Sequence, residues 1–407
     1  MTSADPQDDR LAPAGARRAI IGMVTRIRGG DLGSLPVIVG LVLICGIFQV
    51  LNPTFLSSTN LVNLTMQCAA VGTLAIGIVL VLLLGEIDLS VGAVSGLSSA
   101  ILAVGYVQLG LPLPLVILGS LVTGALIGLL FGVLRTRFGV PSFVITLAGL
   151  LGFLGLQLFV LGKTGSINIP FDSLLVQFGQ QWFLPAWVSY SLVGLSAASY
   201  FVGEFSRARR RTDAGLTSTP VAVIVARTVA MLVVLEAAAW YLNLTRGVGA
   251  MFALFLLLVV VVHMFLTRTA WGRSVFAVGG NVEAARRAGI RVNRVYISVF
   301  VLCSTFAALG GLFAAARLAA ANQGSGGADT NLTAIAAAVI GGTSLFGGRG
   351  SAYSAVLGIL VIMSITSGLT LLNLDSSVRY MITGLVLLLA VIIDSLSRRS
   401  RAASGRA

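Results

Sequence analysis

The chain is poor in the residues that chemistry usually needs. It has one histidine, three cysteines and 14 acidic residues among 407. A lone His263 reads as an interfacial or packed residue, not a ligand. Cys45, Cys68 and Cys303 all lie inside apolar runs, where packing is a better account than a disulfide or a metal site. No nucleophile–base pair and no metal-ligand constellation is present, and no polar catalytic cluster sits where a membrane face would be. Gly162-Lys163-Thr164 looks like the end of a phosphate loop, but position 157, where such a loop needs glycine, holds Gln157. An apolar run also precedes it where a strand should stand. Proline is confined to tails, loops and the edges of apolar runs, as at Pro36, Pro53, Pro141 and Pro220, so it breaks none of them.

What is abundant is apolar surface. Hydrophobic residues make up 57% of the chain, charged residues 10%, and the mean hydropathy is +0.99. A soluble domain has no way to hide that much, so the solvent is lipid. The net charge of +13 would suggest nucleic acid in a soluble protein. Here the arginines lie in the gaps between apolar runs, which marks a cytoplasmic face.

Twelve runs long enough to cross a bilayer begin near Leu35, Leu61, Leu89, Leu113, Phe143, Ala186, Pro220, Gly249, Val295, Leu332, Ala352 and Val378. Alternation from a cytoplasmic start leaves Lys163, Arg246, Arg317 and Arg379 outside and Arg227 within a span. The rest of the 27 basic residues fall inside, including Arg207–Arg211 and Arg398, Arg399 and Arg401. Both termini are therefore expected in the cytoplasm. The expected layout is an all-α polytopic membrane protein: a tail at 1–34, a membrane domain at 35–396 with a cytoplasmic loop at 267–294, and a basic tail at 397–407. The sixth and seventh runs read as a hairpin inserted around Arg207–Asp213 into a ten-span core. Leu332–Phe346, short and containing Gly341-Gly342, reads as a full or broken crossing. Gly85…Leu89…Gly92 and Gly341…Leu345…Gly348 share a G-x3-L-x2-G pattern, a faint sign of duplication.

Three segments carry the candidate functional residues. Gly279-Gly280-Asn281-Val282-Glu283-Ala284-Ala285-Arg286-Arg287-Ala288-Gly289 is a polar, helix-prone island between long apolar runs, bounded by glycine on each side. A short helix held there by two spans can be pushed and can push back. Glu86, Asp88 and Ser90 sit where two apolar runs are joined with almost no loop. Acids so close to hydrocarbon are functional candidates, with helix capping by Asp88 as the competing account. Ser142, Thr146, Thr343, Ser344 and Phe346 complete the set of path or gating candidates, because hydroxyls and flexible backbone at span ends can pass a polar solute along. Arg227 and Glu236, nine residues apart on one helix, point in opposite directions and are not expected to pair. Dense small residues, as at Gly119/Gly124/Gly128/Gly132 and Gly149/Gly152/Gly155, let helices approach closely.

The chain resembles the membrane permeases of bacterial ABC importers for monosaccharides, of the ribose/xylose type. The likeness runs from about Pro36 to Asp394 and is strongest to xylose permeases. It rests on Gly85–Gly92, Val140–Gly149, Val278–Ile290, Ala337–Gly348 and Tyr380–Ala390, and on Glu283-Ala284-Ala285 with Gly289, which fits the coupling signature E-A-A-x3-G. The resemblance implies an inner-membrane permease that is not an enzyme and binds no cofactor or metal itself. Cytoplasmic ABC ATPase subunits would use the ATP. A periplasmic sugar-binding protein would deliver the solute, two permease copies would form the path, and lipid rather than nucleic acid would surround it. The Glu283–Ala288 helix would sit in a groove of the ATPase, with Gly279, Gly280 and Gly289 letting it pivot as a rigid piece. An ion-coupled secondary transporter is the competing class, and the near absence of buried acids speaks against it; an ABC permease for another small polar solute is the other alternative.

Overall fold

A computed structural model describes residues 35–375 and scattered positions from 377 to 392. The tails at 1–34 and 397–407, with the C-terminal arginine cluster, lie outside the described residues, and the run from Val378 is described only in part.

The helices in chain order are α1 (Leu35–Leu51), α2 (Ser58–Leu83), α3 (Val91–Ala103, extended by a π turn at Val104–Gln108), α4 (Leu113–Phe138) and α5 (Ser142–Leu161). Strand β1 (Ser166–Asn168), the short helix α6 (Leu174–Gln180), α7 (Ala186–Asp213), α8 (Val221–Asn243) and α9 (Ala250–Arg268) follow. Two short helices, α10 (Ala270–Gly280) and α11 (Val282–Arg287), lead to α12 (Val292–Leu318), β2 (Ala320–Asn322), α13 (Ala328–Ile340) and α14 (Tyr353–Leu371). Eleven of the twelve expected runs are thus helices starting within about four residues of the expected positions.

Eight described helices are long and apolar enough to cross a bilayer. Three further expected runs fall outside that set. Helix α1 has 17 residues and α13 only 13. At 1.5 Å per residue α13 covers about 20 Å of the roughly 30 Å hydrocarbon core, so it is a broken crossing. Helix α7 is long enough at 28 residues, but its second half carries Glu204, Arg207 and Arg209–Arg211 and is too polar to lie in lipid. Helices α6, α10 and the strand pair are additional to the sequence reading.

The described residues divide into two compact units. One holds the described residues of 35–183 and 249–392; the other is Leu184–Val248. In the larger unit the chain leaves and returns at adjacent points, since Phe183 and Gly249 form an antiparallel bridge. In the smaller, the Leu184 N–H donates to the Val248 carbonyl at 2.8 Å. This smaller unit is the expected inserted hairpin, α7 against α8. Its helices bury few residues, in α8 only Ile224 and Ala239. No ion pair joins Arg227 to Glu236 among the described residues.

The core of the larger unit is built on α2 and α12. Helix α2 is buried along most of its length, and α12 packs against α2, α3 and α4. Small residues make the α4–α12 crossing close. A methyl added at Gly124 would lie 2.7 Å from the Ser304 carbonyl, and at Gly132 it would lie 2.7 Å from the Ile297 Cα. Gly152 and Gly155 on α5 face open space instead, so that part of the small-residue pattern is not a packing face. On the far side of the bundle β1 pairs with β2 in antiparallel register, Ile167 opposite Ala321, over a buried apolar cluster that includes Leu161, Val176 and Leu312. The Gln157 amide donates to the carbonyls of Asn322 (3.0 Å) and Ser325 (2.9 Å) and ties the turn after β2 to α5.

Candidate functional site

The short helix α11 owes its existence to its two ends. Asn281 is in extended backbone, and its Oδ1 accepts the Ala284 N–H at 2.9 Å, closing the N-terminus. At the other end Gly289 has φ +81°. There the Ile290 N–H donates to the Ala285 carbonyl at 3.1 Å and the Gly289 N–H to the Arg286 carbonyl at 3.0 Å. That is the Schellman pattern, which a residue with a Cβ enters only at a cost. Between the caps, Ala285 is buried, while Glu283, Ala284, Arg286 and Arg287 are exposed. Glu283 and Arg286 pair at 2.9 Å one turn apart. Asn281 also bonds back through its N–H to the Ala277 carbonyl (3.1 Å), so α10 and α11 meet at a sharp corner. The result is a capped, outward-facing helical step between α9 and α12.

A second locus is the unwound segment between α2 and α3. Helix α2 ends at Gly85, φ +75°, with the same Schellman bonds, Glu86 N–H to Val81 O (3.2 Å) and Gly85 N–H to Leu82 O (2.8 Å). Asp88 is 1% exposed. Its Oδ1 accepts the Ser90 N–H at 2.8 Å and the Ser90 hydroxyl at 2.7 Å, and its Oδ2 accepts the Cys303 thiol at 3.7 Å. Asp88 therefore folds the turn before α3 and does not cap the helix itself, whose N-cap residue is Ser90. Ser142 and Thr146 serve the same segment: their hydroxyls accept the N–H groups of Ile87 (3.4 Å) and Leu89 (3.1 Å). Such partners are what lets irregular backbone persist inside a bundle.

Glu86 is tied differently. Arg135, at the end of α4, donates to Glu86 Oε1 through Nε (2.9 Å) and Nη2 (2.8 Å), and its guanidinium stands 5.2 Å from the Tyr296 ring centre. The sequence offered Arg135 only as one more cytoplasmic charge, and nothing in the spacing from 86 to 135 announced the pair.

The third locus is the loop after α13. Thr343 is buried, Ser344 N–H donates to the Arg349 carbonyl (3.0 Å), and the Ser344 hydroxyl accepts the Phe346 N–H (3.2 Å). Phe346 is exposed. The loop reaches both other loci through backbone: Gly348 N–H donates to the Leu83 carbonyl at 2.9 Å. Gly279 packs so tightly on Leu83 that a methyl there would overlap its carbonyl oxygen, whereas Gly280 faces open space. The three segments flagged from the sequence thus converge on one end of the bundle. Ser142 and Thr146 join them through their hydrogen bonds to the segment between α2 and α3. His263 lies 4.6 Å from the Tyr353 ring, and no group of metal-binding side chains occurs among the described residues.

A bundle of apolar helices with broken crossings and an outward-facing helical step defines a multi-pass membrane protein of the transport-permease class. The family described as branched-chain amino acid transport system / permease component matches residues 60–391, and the chain belongs to it. The xylose transport system permease protein XylH of Escherichia coli K12 is 40% identical over 346 residues, 85% of this chain and 87% of that protein. XylH of Haemophilus influenzae is 33% identical over 92% of this chain and 99% of its own length. The ribose import permease protein RbsC of Bacillus subtilis is 33% identical over 90% and 94%. No solved structure gives a significant match.

Proposed function

We propose that this chain is the membrane-spanning permease of an ATP-driven bacterial importer for a monosaccharide, xylose or another pentose. The observation that carries the reading is α11, a six-residue helix capped at both ends and presented outward between two spans. It has little reason to be so defined unless a partner grips it. The E-A-A-x3-G spelling from Glu283 to Gly289 supports a cytoplasmic ABC ATPase as that partner. The names of the relatives support the sugar.

The permease lies in the inner membrane with both termini cytoplasmic and works as a pair of copies. A periplasmic binding protein supplies the sugar, and the partner subunits use the ATP. The chain itself binds no cofactor and performs no bond chemistry. Its part is to hold two arrangements of one bundle whose balance the ATPase shifts by differential binding. The test is uptake of radiolabelled xylose into proteoliposomes holding permease, ATPase and binding protein. ATP-dependent accumulation is expected only with all three; accumulation by the permease alone on an ion gradient would overturn the reading.

A further inference from the structure

Two neighbouring glycines, Gly279 and Gly280, end α10 just before the coupling helix, and the sequence treats them alike. The structure separates them. Gly280 has nothing within 4 Å of where a Cβ would stand. Gly279 is wedged, its missing side chain leaving room for the Leu83 carbonyl and, at 2.8 Å, the Gly348 nitrogen. Gly347 in turn has its Cβ position 2.6 Å from the Gly279 carbonyl and 2.9 Å from the Gly85 nitrogen. Leu83 is the last residue of α2 and accepts the Gly348 N–H. Three strands of backbone therefore touch with no side chain between them: the end of α10, the start of the unwound segment before α3, and the end of the loop after α13.

We infer that this glycine junction is where movement of α11 enters the bundle, and that Gly279 acts there as a rigid contact rather than a hinge. The inference rests on the importer reading and assigns a positioning role that the coupling signature does not include. Side chains between elements can change rotamer and absorb a small displacement. Backbone in direct contact cannot, because interiors at this density pass strain on. A shift of Gly279 must move Leu83 or open the junction. From Leu83 and Gly85 the chain runs in five residues through Asp88 to Ser90, the first residue of the α3 cap, and Asp88 also holds Cys303 on α12. The opposite branch runs from Gly347 and Gly348 back to the end of α13. One contact thus addresses the unwound segment before α3 and the broken crossing at α13. These two segments also carry the two halves of the sequence echo, although the left-handed glycines are Gly85 and Gly342, one residue out of step with the Gly85/Gly341 match.

The test uses the full complex of permease, ATPase and binding protein in proteoliposomes, comparing Gly279→Ala with Gly280→Ala. Both changes add one methyl at negative φ, so helix propensity affects them equally. Gly280→Ala, whose methyl meets open space, is expected to lower uptake far less than Gly279→Ala. Gly279→Ala is expected to bind the ATPase and keep its basal hydrolysis, while xylose uptake and the stimulation of hydrolysis by sugar-loaded binding protein fall about tenfold or more. Equal uptake by the two variants overturns the inference. Absence of ATP-driven uptake in wild type would instead sink the importer reading. Should Gly279→Ala not assemble, hydrogen exchange on the wild-type complex decides. Adding a non-hydrolysable ATP analogue is expected to change exchange at residues 83–90 and 343–349 together with 281–290. A change confined to 281–290 refutes the junction.

Discussion

Unseating the caps of α11 gives a quantitative test of how the ATPase is held. Isolated helices shorter than about 12 residues are marginal in water, and α11 has six and buries only Ala285. Its persistence therefore depends on Asn281 and Gly289. Removing the Asn281 acceptor with Asn281→Ala costs about 1 kcal/mol. Placing a Cβ at the +81° position of Gly289 with Gly289→Ala costs about 1–2 kcal/mol. At 1.4 kcal/mol per factor of ten, the helix equilibrium constant falls about fivefold for Asn281→Ala and about five- to thirtyfold for Gly289→Ala, and with so marginal a helix the apparent Kd for the ATPase rises by up to that factor. The double variant should fall short of the product, because both substitutions melt one helix. Binding of purified permease to the ATPase subunit by surface plasmon resonance reads the effect, and thermal unfolding of the permease should be unchanged. Asn281→Ser keeps a capping oxygen and should restore most of the affinity. Wild-type affinity in both single variants would show that α11 is not the gripped element.

Other expectations follow from the same contacts. Glu283→Lys reverses the exposed charge at the start of α11 and breaks its pair with Arg286; uptake should be lost with the permease still inserted, as membrane fractionation and transport assays would report. Thr146→Val removes the acceptor of the Leu89 N–H and should destabilise the bundle by about 1–3 kcal/mol, with Thr146→Ser recovering it in a thermal-shift assay. Asp88→Ala should impair uptake more than Asp88→Asn, which keeps an oxygen for Ser90, and either should outweigh Glu236→Gln; equal effects would deny Asp88 its place in the turn. A double-mutant cycle on Glu86→Gln and Arg135→Ala should return a coupling of about 1 kcal/mol or more, since the pair is only partly exposed; zero coupling would make it ornamental.

Much of this architecture was legible because lipid imposes simple rules. Apolar runs, proline at their edges and arginine in the gaps located the helices, and Gly289 marked the end of α11; its start, expected at glycine, is capped by Asn281 instead. The hidden part is of two kinds. Broken helices leave only a partial mark: Gly341-Gly342 left α13 open as a full or broken crossing, and only the structure stops it at Ile340. Contacts between distant segments leave none, as with Arg135 reaching Glu86 or Gln157 holding the turn after β2. Glycine is the extreme case. Gly279 and Gly280 are identical letters, and only the position of Leu83 decides that one is wedged and the other has room for a methyl.

The bridge between Phe183 and Gly249 has a bearing on the history of the chain. Because the trunk closes on itself where the hairpin departs, residues 184–248 can be spliced out, and one or two linker residues would rejoin the ends. The same point would accept a foreign passenger, such as a fluorescent domain, without disturbing the machinery on the opposite end.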